Sequence, residues 1–201
     1  YHPNFRLFLE EFGLYDIFLV DIETGNVVYS VYKEIAFATS LIDGVFADSG
    51  LGQAFRLAKD STEKHAVFIT DSNAYTPSYE AAAMFISSPV FDSENKPSGV
   101  LIYQIPASRI NDVMTHYSKW EDVGLGVSGE TYLVGPDKTL RSESRYMIEN
   151  QGEYLEGLKK LGSQQPQVLQ KMAQQNSALG LQVIKSMGVE EATKGQSGFK
   201  Q

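Results

Sequence analysis

Three strand-forming runs follow one another between residues 66 and 103, and they constrain the fold more than any other feature of the chain. Residues 66–70 (AVFIT), 81–91 (AAAMFISSPVF) and 99–105 (GVLIYQI) are rich in β-branched and aromatic residues. They are separated by residues 71–80 (DSNAYTPSYE) and by the turn 92–98 (DSENKPS). Consecutive strands with short connections pair antiparallel, so a meander is expected. Apolar positions alternate with small or polar ones (Met84, Ile86, Ser88; Val100, Ile102, Gln104), which predicts one buried face and one less buried. The first connection is longer and more aromatic than a hairpin needs, and it is expected to close a pocket against the sheet.

Elements with clear periodicity flank the meander. Phe5, Phe8, Leu9 and Phe12 recur at helical spacing over residues 3–12, with Gly13 as the stop. Residues 15–21 (YDIFLVD) and 26–31 (NVVYSV) read as a hairpin around the turn IETG. A short helix is expected at 51–57 with Asp48 or Ser49 at its cap, and another at 106–117 opened by Pro106. After a linker at 120–129, the pattern gives strands at 130–135, 139–145 and 179–185. Helices are expected at 152–161, 166–175 and 189–194. Residues 15–30 resemble 130–144, a faint internal repeat.

Composition removes several classes of function. A net charge of −8 disfavours nucleic acid, whose phosphates call for clustered Lys and Arg. With no cysteine, thiol catalysis, thiolate metal sites and disulfides are excluded. No run approaches the roughly 18 apolar residues of a membrane span. The chain opens at Tyr1 within a helical pattern and closes on GFKQ within a strand pattern, so it is expected to be a piece of a longer protein. Residues 124–129 (GLGVSG) match G-x-G-x-x-G, but they follow a helix and open a strand, the reverse of a dinucleotide site. The linker reading prevails there. His2, His65 and His116 have no metal-ligand spacing.

The runs YDIFLVDIETGNVVYSVYKE, SGLGQAF, AYTPSYEAAAMFISSPVFD and GVLIYQIPASRINDVM together resemble the extracytoplasmic Cache (PAS-like) sensor domains. Such domains occur in bacterial chemoreceptors, sensor histidine kinases and cyclic-dinucleotide cyclases. GETYLVGPDKTLRSESR resembles the start of the second module of the double-Cache form. The resemblance implies an α+β fold, a PAS-like domain whose central antiparallel sheet is flanked by helices, plus the start of a second, smaller module. It divides the chain into the end of an N-terminal helix (1–14), a membrane-distal ligand-binding module (15–120), and a linker with an incomplete membrane-proximal module (121–201). It implies signal transduction from the periplasm through a transmembrane receptor, with membrane helices lying outside this chain. The Tyr, Arg, Trp, Tyr, Asp pattern of the amino-acid-binding branch has no match here, since Arg56 falls on a helix exterior and Trp120 in the linker.

Candidate ligand contacts are drawn from the long connection and its surroundings. Asp71 sits where a strand meets the loop and offers a carboxylate to an ammonium. A turn-forming role is the plainer alternative. Tyr75 and Tyr79 each combine an apolar ring with a polar tip, and Ser78 adds a hydroxyl. Tyr103 and Met84 on the strands, Phe37 and Thr39 opposite them, and Lys33 complete the set. The expected partner is a small polar organic ligand: an organic acid, an amine or an amino acid. No cofactor, metal, catalytic residue or nucleic acid is expected, and a homodimer would form through the N-terminal helix. Two alternatives stand beside sensing. One is a structural or dimerisation module with Phe5, Phe8 and Phe12 along its seam. The other is a small hydrolase using Asp71 with a histidine.

Overall fold

A computed structural model describes residues 1–78 and 81–199, with backbone alone at Ala81. The fold is α+β, an antiparallel sheet flanked by helices, and its contacts divide it into two units, Tyr1–Arg109 and Ile110–Gln201.

The first unit opens with α1 (His2–Phe12), which carries Pro3 in its first turn and stops at Gly13. Gly13 takes φ +63, a left-handed conformation that glycine adopts without a Cβ clash. The sheet follows: β1 (Asp16–Asp21), β2 (Val27–Ser30), β3 (Phe68–Ile69), β4 (Asn73–Tyr75), β5 (Ala81–Phe91) and β6 (Pro97–Pro106). Its order is β2-β1-β6-β5-β3, and β4 also pairs with β5. The β1–β2 turn is closed by Asp21, whose carboxylate accepts the Thr24 N–H (2.8 Å) and hydroxyl (2.6 Å).

Register decides which side chains share a face. Asp16, Phe18 and Val20 lie opposite Gln104, Ile102 and Val100 of β6. Those in turn lie opposite Phe85, Ser87 and Pro89 of β5. This face packs under α2 (Gly50–Lys59), and Phe18, Leu41, Leu51, Phe55, Phe85 and Ile102 form its core. Ser87 ties sheet to helix by donating its hydroxyl to the Ala54 carbonyl at 2.7 Å. The other face carries Ile17, Leu101 and Tyr103 against Phe5 and Leu9 of α1. The two expected rows therefore face opposite ways. Phe85 pairs with Gln104 and Ile86 with Tyr103, so Met84 and Ile86 turn from α2 while Val100, Ile102 and Gln104 point to it.

Residues 71–78 of the long connection are more regular than their composition suggests. Residues 73–75 form β4, with Asn73 opposite Ala83 and Tyr75 opposite Ala81, and a 3-10 turn at Thr76–Ser78 follows. Small alanines on β5 accept this extra strand. The strand expected at 66–70 is confined to Phe68–Ile69.

In the second unit, α4 (Arg145–Glu149), α5 (Gln151–Lys160) and α6 (Pro166–Gln175) contribute to a core of Leu140, Met147, Leu158, Met172 and Ala178, and α7 (Met187–Ala192) follows. The helix expected at 106–117 is α3 (Ala107–Met114). It ends where the Thr115 hydroxyl takes the Asn111 carbonyl (2.7 Å) and His116, Tyr117 and Ser118 adopt positive φ. The strands expected at 130–135, 139–145 and 179–185 shrink to the single bridges Val134↔Leu140 and Thr139↔Val183. Side-chain bonds claim the backbone instead. The Ser142 hydroxyl accepts the Leu133 N–H, Glu130 accepts the Arg145 N–H, and Arg145 donates to the carbonyls of Gly126 (2.8 Å) and Gly129 (3.0 Å). The glycine motif at 124–129 is thus a turn held by an arginine.

Two glycines test this packing. A Cβ on Gly52 would fall 2.0 Å from the Ala47 carbonyl oxygen, whereas one on Gly157 in α5 meets nothing within 4 Å. Gly52→Ala is expected to lower stability by about 1–3 kcal/mol, and Gly157→Ala to raise it by about 0.5–1 kcal/mol. Urea denaturation of the two variants measures both signs.

Candidate functional site

The interior beneath α2 is mainly apolar, with Ser87 and Thr70 satisfied by backbone groups and the remaining buried polar residues gathered at one corner of the sheet. Of the buried polar residues in the first unit, Asp16 (0% exposed) and Gln104 (1%) share one row, and Ser30, Ser78 and Tyr75 (1%) lie buried with them. Each is placed by its element. Asp16 opens β1 with the same parity as Phe18 and Val20, and Gln104 continues the inward row of Val100 and Ile102. Tyr75 enters from β4, its ring edge-on to Phe85 at 5.0 Å between centroids. Ser78 follows on the 3-10 turn.

The hydrogen bonds of this corner leave a specific deficit. The Asp16 carboxylate is well served: Oδ1 accepts the Ile17 N–H (2.7 Å) and the Val31 N–H (2.9 Å), and Oδ2 accepts the Ser30 hydroxyl (2.7 Å). Gln104 Nε2 donates to the Ser78 hydroxyl at 2.7 Å. Gln104 Oε1 and the Tyr75 hydroxyl have no hydrogen-bond partner among the described residues. An unpartnered buried polar atom costs about 1–3 kcal/mol. Two such atoms in one corner single it out among the described residues as the candidate site.

Electrostatics sharpen the picture. Desolvation raises the Asp16 carboxyl above its ordinary value, and hydrogen bonds from the Ser30 hydroxyl and the Ile17, Val31 and Tyr32 N–H groups only partly offset that. Burial also pushes the Tyr75 phenol well up, with the charges of Glu34 and Asp16 and the neighbouring Tyr15 adding to it, so it stays a neutral hydroxyl. Glu34 accepts the Tyr15 hydroxyl at 2.9 Å. The corner is thus rich in acceptors and negative in sign. No group of three metal-ligating side chains occurs among the described residues.

The sequence-derived candidates scatter around this centre. Tyr75 and Ser78 lie in it. Asp71 is half-buried, and its Oδ1 accepts the Ser72 N–H at 2.7 Å in the turn between β3 and β4. Tyr79 lies outside the described residues. Tyr103 faces α1, its ring 5.6 Å from Phe8, and Met84 is on that same face. Phe37 packs at the edge of the core, while the Thr39 hydroxyl donates to the Ala36 carbonyl at 2.7 Å. Lys33 is exposed, its ammonium 5.8 Å from the Phe37 ring centre, and with His2 and Tyr29 it lines an open surface cleft of about 400 Å³.

Asp16, Ser30, Glu34, Gln104 and Tyr15 are the residues sequence reasoning passed over. The signal was present for two of them. An Asp at the head of an otherwise apolar strand and a Gln at an inward position of an alternating one both break the pattern that burial demands.

No family model and no curated protein matches the sequence. Solved structures resemble it at low identity. The ligand-binding domain of the Campylobacter jejuni chemoreceptor Tlp3, in complex with 4-methylisoleucine, aligns at TM-score 0.47 and 13% identity over 70% of this chain and 48% of that one. The ligand-binding domain of the Pseudomonas aeruginosa amino-acid chemoreceptor PctC, in complex with GABA, aligns at TM-score 0.45 and 11% identity over 75% and 54%. The VqmA–ligand–DNA complex of Vibrio cholerae aligns at TM-score 0.43 and 12% identity over 94% and 87%. The chain spans about half the length of the two chemoreceptor domains.

Asp16 makes a pH prediction. Its folded carboxyl holds a proton more tightly than the unfolded one, so stability falls as pH rises from the ordinary carboxylate range through the raised value. Asp16→Asn removes this loss while its Oδ1 still accepts the two backbone N–H bonds. The stability of Asp16→Asn relative to wild type is therefore expected to increase with pH across that window, read by urea denaturation from pH 4 upward. Parallel curves would contradict it.

Proposed function

We propose that this chain is the extracytoplasmic ligand-sensing part of a bacterial transmembrane receptor, a chemoreceptor or sensor kinase, and binds a small molecule at the polar corner beneath α2. The observation that carries the reading is the pair of buried, unpartnered atoms, Tyr75 hydroxyl and Gln104 Oε1, beside a fully buried carboxylate. A stable core has no use for such a pair, and a ligand that bonds both gains what folding left open. Asp16 and Ser78 hold the site in shape. Ligand binding would favour one arrangement of β4 and its 3-10 turn over others, a population shift passed on through the rest of the receptor.

Residues 121–201 are read as a linker and the opening part of a membrane-proximal module, on the strength of the repeated sequence at 130–144. No helix among the described residues is long and apolar enough to cross a membrane, so the membrane helices of this reading belong to chain outside it. The domain acts by binding, without catalysis. Dimerisation would use α1, where Leu7 and Phe12 stay exposed while Phe5 and Leu9 are taken up by the domain's own sheet.

A thermal-shift screen over amines, amides, amino acids, organic acids and purines tests the site. A ligand at 100 times its Kd stabilises the native state by about 2.7 kcal/mol, enough to move Tm by several degrees. The rise is expected to vanish in Tyr75→Phe and in Gln104→Met, both of which fit the space. A hit that keeps its affinity in both variants would place the pocket elsewhere.

A further inference from the structure

The chemistry of the polar corner restricts what it can hold. Gln104 Oε1 is an acceptor only, and one of the two N–H groups on its amide nitrogen is committed to Ser78. Whatever meets Oε1 must donate an N–H or O–H. Asp16 is fully buried with its carboxylate beside this amide, and its Oδ2 accepts the Ser30 hydroxyl. Among the described residues of 1–109 every buried polar residue other than Asp16 is uncharged, and the half-buried carboxylate of Glu34 adds a second negative charge. Among the described residues of 1–109 no Lys or Arg side chain is buried. Lys33 reaches over Phe37 at the surface, and Arg56 donates to the Ala47 carbonyl from the exposed side of α2. A carboxylate or phosphate ligand would meet two like charges with no buried cation to compensate. A quaternary ammonium would bring charge but no hydrogen for Oε1.

We infer that the ligand is a small protonated primary or secondary amine, whose N–H groups bond Gln104 Oε1 and whose charge is met by Asp16 and Glu34. This rests on the sensing reading of the same site. The Tyr75 hydroxyl, neutral and able to donate as well as accept, would serve either the ammonium or a second polar group on the ligand. Charge-assisted hydrogen bonds are roughly twice as strong as neutral ones, which makes the ammonium the feature that selects.

Isothermal titration of the whole chain with matched probes tests the class: n-propylamine, ethanolamine and putrescine against n-propanol, propionamide, tetramethylammonium, propionate and succinate. At least one amine is expected to bind, with its neutral counterpart weaker by about tenfold or more. Asp16→Asn and Glu34→Gln should each weaken the amine by a similar factor and leave neutral probes unchanged. Glu34→Gln keeps the test intact if Asp16→Asn fails to fold. An organic acid or the quaternary ammonium as the best binder, or an amine indifferent to both carboxylate variants, would overturn the inference. Binding of an anion or neutral probe that Gln104→Met abolishes would remove the amine and keep the sensing site. No binding by any probe, with none in the wider screen, would remove both.

Discussion

A buried carboxylate organises the first unit. Asp16 is fully sequestered, and such a group is tolerated only when its oxygens are hydrogen-bonded. Its donors are the Ile17, Val31 and Tyr32 N–H groups and the Ser30 hydroxyl, so one side chain on β1 fixes the departure of the chain from β2. The same Ser30 oxygen accepts the Lys33 N–H at 2.9 Å, which starts the next segment. Because β1 pairs with β6 in a register that sets Asp16 opposite Gln104, this carboxylate also decides which amide faces the interior. The candidate site is the remainder: Asp16 is satisfied, and the neighbours it positions are not.

The second unit uses charge in a parallel way. Glu143 is buried, raised by desolvation, and accepts the Ala178 N–H (2.7 Å) and the Ser177 hydroxyl (2.8 Å). Arg145, also buried, stacks over Trp120 at 4.8 Å and binds Glu149 at 2.8 Å while holding the glycine turn. Both charges tie loops to helices, and both replace ladder hydrogen bonds that a sheet would have supplied. Satisfied charges of this kind specify geometry more than they add net stability.

The sheet was legible because its information is local. Alternation in β1, β5 and β6, a turn built on Asp21 and Thr24, and a glycine that stops α1 all lie within a few residues of one another. The helix at 166–175 was legible for the same reason, with Pro166 at its start and an apolar stripe along it. What failed was long-range. That residues 139–145 turn into α4 depends on Arg145 reaching carbonyls some twenty residues earlier, which propensity does not encode. Tyr103 and Met84 are large residues on the right strands, and the pairing of β5 with β6 puts both on the face away from α2, with Tyr103 beside Phe8. The site was half legible. Tyr75 and Ser78 sit in a conspicuous polar connection, while Asp16 and Gln104 show only as polar residues at inward positions, and only the sheet order brings them together.

The central claim is that the interior beneath α2 holds a site and not merely an imperfect core. A crystal structure of the protein as purified tests it most directly. The account predicts electron density, from a small molecule or ordered water, within hydrogen-bond distance of both Gln104 Oε1 and the Tyr75 hydroxyl. If those two atoms instead bond each other or the chain's own side chains, with the corner closed, the site does not exist and the account is wrong.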